Sequence, residues 1–195
     1  SVQGLTMPLV TKADGTKFGK TESGTIWLDA GKTSPYAFYQ FWLSTADADV
    51  YKFLKYFTFL TVEAIDALAQ EDAEREGRPE AQRVLAREVT RLVHGDGGLE
   101  AAERITSAMF SGDESSLSES DLAQLSLDGL PSSVITREAM PETLTQLLTD
   151  AGMAASGKQV KDALGRSAVS INGVSVAAEN NADPASCLAP RAAMH

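Results

Sequence analysis

Lys17 and Lys20 stand three residues apart in a stretch that also holds Gly15, Gly19 and Thr21. Two ammonium groups at that spacing, on a chain segment with glycine freedom, can close over a triphosphate. There they neutralise the charge that builds as pyrophosphate leaves. Thr21 can add a hydroxyl hydrogen bond, and Asp14-Gly15 sets a turn between Lys12 and Lys17. Taken alone, a Lys- and Gly-rich stretch also reads as a plain solvated turn. The ending Gly19-Lys20-Thr21 invites comparison with a P-loop, which requires a glycine separated from Gly19 by four residues. That position is Asp14, and residues 22–28 read as extended where a P-loop would start a helix. The P-loop reading is excluded on both counts.

A second set of cations lies near the other end. Lys158, Lys161 and Arg166 belong to a short basic helix over 156–166. Residues 168–176 follow as two alternating apolar runs around Asn172-Gly173, a strong hairpin signal. One hairpin face should bury Val169, Ile171, Val174 and Val176, which leaves the other for backbone phosphates. Arg83, Arg87 and Arg91 repeat every four residues. They read as a solvated helix face pairing with Glu80 and Glu88, in preference to a nucleic-acid stripe.

The elements that must position these groups are mostly helical. Residues 4–11 read as the end of a buried strand. Ser34 as cap and Pro35 at the first helical position start a helix rich in aromatics, and Asp47 reads as the next cap. Further helices are expected over 61–70, 79–94, 98–110, 118–126 and 141–151, with Gly95 closing the second of these after His94. His94 suits the terminal carbonyls there. The aromatic run from Tyr36 to Phe59 has helical spacing and reads as core rather than as a base-stacking platform. Glu71, Asp72, Glu74 and Glu76 read as a solvated turn.

Composition narrows the function classes. The 195 residues are 43 % hydrophobic and 23 % charged, which is globular and not disordered. No apolar run approaches the roughly 18 residues of a membrane span. The single Cys187 makes no internal disulfide, and with only His94 and His195 beside it no protein-built metal site is expected. No signal peptide is visible, and a reducing, cytoplasmic setting is the expectation. A net charge of −10 argues against polyanion binding, but its distribution weakens that argument. Residues 1–60 carry +1, residues 61–150 carry −12 and residues 151–195 carry +1. Both ends remain open to phosphates.

The run Met7-Pro8-Leu9-Val10-Thr11-Lys12-Ala13-Asp14-Gly15-Thr16-Lys17-Phe18-Gly19-Lys20-Thr21-Glu22 closely resembles bacterial tyrosyl-tRNA synthetases around their KMSKS-type signature. The resemblance continues through Ile26-Trp27-Leu28-Asp29, Lys32-Thr33-Ser34-Pro35-Tyr36, Phe38-Tyr39-Gln40-Phe41-Trp42, residues 45–50, Phe57-Thr58-Phe59-Leu60 and Arg91-Leu92-Val93-His94-Gly95. It is strong over residues 3–110 and looser over 111–177. It implies a class I enzyme that activates tyrosine with ATP, supplied as its Mg²⁺ complex, and transfers it to tRNA(Tyr). By position Lys17 and Lys20 match the family's two signature lysines, Lys20 being the ATP-contacting second one. Phe18 and Gly19 stand where Met and Ser occur in the archetype, and Thr21 replaces the final Ser.

The resemblance also implies an architecture. Residues 1–33 would end a Rossmann-like catalytic domain, 34–150 would form a helical anticodon-binding domain, and 151–195 part of a small α/β RNA-binding module. In that module Lys158, Lys161 and Arg166 would meet RNA. The HIGH-type motif, the tyrosine pocket and the surface that makes the family's homodimer lie upstream in the family and have no counterpart here. A distal portion that does not activate tyrosine by itself is therefore expected. The alternative is a non-enzymatic RNA-binding protein that uses the C-terminal module.

Overall fold

The computed structural model describes residues 4–6, 9–21, 24–113, 116–171 and 174–176. The chain is mainly helical and divides into two compact units. One gathers the described residues of Ser1–Thr106 and Glu119–Asp128, the other those of Ser107–Ser118 and Gly129–His195.

In the first unit, helix α1 (Pro35–Leu43) starts as its residues dictate. Ser34 is extended and its Oγ accepts the Ala37 amide at 3.0 Å, while Pro35 has no N–H to lose. The buried Ser34 hydroxyl also donates to Asp128 Oδ2 at 2.5 Å, beyond helix α5 (Glu119–Leu127). Helix α2 spans Asp47–Phe57 and helix α3 spans Val62–Glu74, the latter capped by Thr61. Asp47 is not the cap expected of it. Ala46 holds that position, and the Asp47 carboxylate instead accepts Gln82 Nε2 at 2.5 Å.

Helix α4 (Ala81–Ser111) is broken at Gly95, where φ is +71° and ψ is −179°. Only glycine takes that conformation without strain, so the expected stop at Gly95 is present as a kink between two helical stretches. Gly98 is small for another reason, since a Cβ there would lie 2.5 Å from the Cβ of His94. The His94 ring does not serve the terminal carbonyls. It turns edge-on to Phe38 at 4.9 Å, and burial pulls its pKa below the usual imidazole value.

The core of this unit is aromatic. Phe38, Tyr39 and Trp42 of α1 pack with Val50, Phe53 and Leu54 of α2, Ile65 of α3 and Leu85, Val89 and Leu99 of α4. The helical spacing of the aromatic run therefore marks core, with two exceptions. Tyr56 and Phe59 are 61 % and 89 % exposed. Arg83, Arg87 and Arg91 each face a carboxylate, on Glu80 (3.5 Å), Glu103 (3.3 Å) and Glu88 (2.8 Å) respectively.

The expected solvated acidic turn is corrected at one residue. Asp72 is 9 % exposed and accepts the Glu80 and Ala81 amides at 2.8 and 3.0 Å and the Tyr51 hydroxyl at 3.0 Å. It serves the start of α4, whose first amides have no intrahelical partner. Burial pushes its carboxyl up, but the bonds from Glu80, Tyr51 and Ala81 outweigh that and hold it below the usual carboxylate value. Burial first, and then the bond to Asp72, raise the pKa of the Tyr51 hydroxyl to about 12.

In the second unit a 3₁₀ turn (Arg137–Ala139) precedes helix α6 (Leu144–Asp150), capped by Thr143. Helix α7 (Gly157–Gly165) is capped by Ser156. Strands β3 (Ser170–Ile171) and β4 (Val174–Ser175) pair antiparallel with Ile171 opposite Val174, and Asn172 and Gly173 lie outside the described residues. Strands β1 (Lys20–Thr21) and β2 (Gly24–Thr25) lie in the first unit. Leu144, Leu147, Val160, Leu164 and Val176 form the core. The expected apolar face of the hairpin is incomplete. Val176 is buried, but Val174 is 68 % exposed. No described helix is long and apolar enough to cross a membrane.

Candidate functional site

The stretch from Val10 to Phe18 folds back on itself. Lys12 N donates to Thr16 O at 2.9 Å, Gly15 N to Lys12 O at 2.9 Å and Phe18 N to Val10 O at 3.2 Å, with a bridge between Thr11 and Lys17. Asp14 holds the turn, accepting the Thr16 amide at 2.8 Å and hydroxyl at 2.6 Å, and Gly15 takes φ +81°. Those two bonds, the hydroxyl first, lower the Asp14 carboxyl below its ordinary value. The turn expected at Asp14-Gly15 is where it should be.

Phe18 inserts its ring among four others. Its centroid lies 4.8 Å from Phe53, 5.3 Å from Trp42 and from Phe57, and 5.6 Å from Phe41. Offset and edge-on pairs at these distances each add to the area buried. Lys17, one residue earlier, is exposed. Gly19 has φ +84° with open space where a Cβ would be, so the glycine serves the backbone reversal and not a close approach. After it, Lys20 and Thr21 form strand β1 (Lys20–Thr21), antiparallel to β2 (Gly24–Thr25) with Lys20 opposite Thr25. The side chains of Lys20 and Thr21 lie outside the described residues. A strand here, not a helix, agrees with the exclusion of a P-loop.

The sequence reading missed two residues of this site. Asp49 of α2 is 3 % exposed, and its Oδ2 accepts the Ala13 amide at 3.0 Å. Lys52, one turn on, donates from Nζ to the Thr11 carbonyl at 2.9 Å. Lys52 Nζ also forms an ion pair with Asp49 Oδ1 at 2.8 Å. Burial pushes the Asp49 carboxyl up, but Lys52 and the Ala13 amide more than compensate and its pKa is lowered. The available signal was an acid in the first turn of α2 with a lysine three residues later, which looks the same on any solvated helix.

Lys158 and Lys161 are exposed on α7, which buries Val160 and Leu164. Arg166 is the C-terminal cap residue of α7, and its Nε donates to the Asp162 carbonyl at 3.2 Å. The three cations thus share one helix and its end, while Lys17 and Lys20 belong to the first unit. Among the described residues no group of His, Cys, Asp and Glu could hold a metal ion.

The family profile described as tRNA synthetases class I (W and Y) matches residues 1–111. The tyrosine–tRNA ligase of Aliivibrio fischeri (strain MJ11) is 65 % identical over 176 residues, covering 90 % of this chain and 41 % of that protein. The tyrosine–tRNA ligase of Chromobacterium violaceum is 59 % identical over 175 residues, with the same coverage of 90 % and 41 %. This chain therefore spans about two fifths of the length of those curated relatives. Among solved structures, a C-terminally truncated Coccidioides posadasii mitochondrial tyrosyl-tRNA synthetase is 41 % identical and covers 51 % of this chain and 25 % of that one, at a TM-score of 0.43.

Proposed function

The chain belongs to the class I tRNA synthetases (W and Y), and we propose that it is the distal part of a tyrosine–tRNA ligase. Such an enzyme joins tyrosine to ATP with release of pyrophosphate, then passes the tyrosyl group to tRNA(Tyr). The observation that carries this reading is 65 % identity to such a ligase over 176 residues, which takes in nine-tenths of the chain.

In the proposed division of labour, the first unit contributes the lysine loop. Lys17 and Lys20 meet the phosphates of ATP, which enters as its Mg²⁺ complex, and stabilise the departing pyrophosphate. Thr21 adds a hydroxyl, while Phe18 and Gly19 shape the loop. The helices of residues 34–150 form the anticodon-binding part, and residues 151–195 form part of the RNA-binding module. Lys158, Lys161 and Arg166 contact tRNA phosphates. Residues upstream in the family supply the tyrosine pocket and the homodimer surface, so this portion alone does not activate tyrosine, and the cytoplasm is its setting.

The experiment is aminoacylation by the full-length protein, with and without Lys158→Ala and Lys161→Ala together. The full-length protein should charge tRNA with tyrosine. The double variant should raise the KM for tRNA and lose about one to two phosphate contacts from the salt slope. It should leave adenylate formation unchanged, since that step needs no tRNA. RNA binding without any charging would favour a non-enzymatic RNA-binding protein instead. Loss of adenylate formation at normal tRNA affinity would show the α7 lysines to be structural.

A further inference from the structure

We propose that Asp49 and Lys52 are positioning residues for the lysine loop, fixing its root to α2 so that Lys17 and Lys20 are presented in one register. The inference rests on the functional reading above. Within the turn from Thr11 to Lys17, the Ala13 amide and the Thr11 carbonyl reach outside it to other described residues. Both are taken by one helix, at 3.0 Å by Asp49 and at 2.9 Å by Lys52.

A carboxylate in the first turn of α2 would be comfortable in water beside the helix N-terminus. Asp49 is instead buried to 3 % exposure, which costs desolvation and calls for compensation by charge and hydrogen bonding. The compensation comes from Lys52 and from an amide 36 residues away in sequence. Phe18 adds a third attachment, because Phe53 and Phe57, two of the rings it meets, also stand on α2. The loop is thus tied to α2 before and after its turn, and the exposed Lys17 projects between the ties. Moving a charged group by about 1 Å relative to the reacting phosphate can cost on the order of 100-fold in rate.

The test uses the full-length ligase with Asp49→Ala, Asp49→Asn and Lys52→Met. Tyrosine-dependent pyrophosphate exchange is followed together with hydrogen exchange at the Ala13 amide. Asp49→Ala should lower kcat by about 10- to 100-fold with the KM for tyrosine unchanged within about twofold. The Ala13 amide should exchange faster while the amides of α1 do not. Asp49→Asn retains an acceptor for Ala13 and should recover most of the rate, and Lys52→Met should lower kcat by about tenfold. A kcat that falls only as folded protein is lost, or an Ala13 amide as fast in the parent as in Asp49→Ala, overturns the proposal. Should the parent show no tyrosine-dependent exchange, the functional reading fails, and the Ala13 measurement still decides whether Asp49 fixes the loop.

Discussion

If the proposed function holds, Lys20→Ala in the full-length protein should slow tyrosyl-adenylate formation by about 100- to 1000-fold, a loss of about 2.7–4 kcal/mol in transition-state stabilisation. Tyrosine binding should hardly change. The reason lies in where charge appears: ATP already carries its phosphate charge in the ground state, and more accumulates on the bridging oxygen as pyrophosphate departs. An ammonium held against that oxygen acts chiefly on the transition state, so its removal shows in kcat more than in KM. Lys20 leaves the Gly19 reversal in β1, opposite Thr25, so its backbone is held by a ladder. Equilibrium binding of tyrosine and single-turnover adenylate formation separate the two effects. An unchanged rate of pyrophosphate exchange in Lys20→Ala would remove this lysine from the chemistry.

Phe18→Ala should cost stability and rate together. Phenylalanine-to-alanine changes in a closed core cost about 3–5 kcal/mol. Phe18 is only half-buried, so about 2 kcal/mol is expected at a site that can relax toward solvent. The rate should fall by about tenfold as well, because the ring that ties the loop to Phe53 and Phe57 is gone and the backbone that carries Lys17 and Lys20 loses that anchor. Phe18→Met should restore most of both, since a flexible thioether can fill the space among four rings. Urea unfolding and pyrophosphate exchange on the same preparations measure the pair of effects. Parent-like stability in Phe18→Ala would mean the ring cluster closes without it.

What was legible in the sequence was local. Ser34-Pro35 announced α1 because a capping hydroxyl and a proline act within one turn, and the structure places both as read. Gly95 announced a break because positive φ is a property of the residue itself. The aromatic core followed from period alone, apart from Tyr56 and Phe59, whose spacing also fits a surface. The signature of the lysine loop was equally plain, but its anchorage was not. Asp49 meets Ala13 across 36 residues, and nothing within a helical turn distinguishes it from a solvated first-turn acid. Asp72 was misread for the same reason, since the amides it accepts belong to Glu80 and Ala81. Asp47 shows a further limit. Its type fits a cap, yet a glutamine 35 residues on claims its carboxylate, and Ala46 takes the cap position by backbone conformation alone. Val174 alternates correctly and still lies exposed, since alternation assigns a residue to a face and does not by itself bury it.

The most direct test of the account is ATP–pyrophosphate exchange by the full-length protein, run in parallel with tyrosine and with tryptophan, the two amino acids of its synthetase family. Exchange should depend on tyrosine and be absent with tryptophan. Exchange with tryptophan, or with neither amino acid in a folded full-length protein, would contradict it.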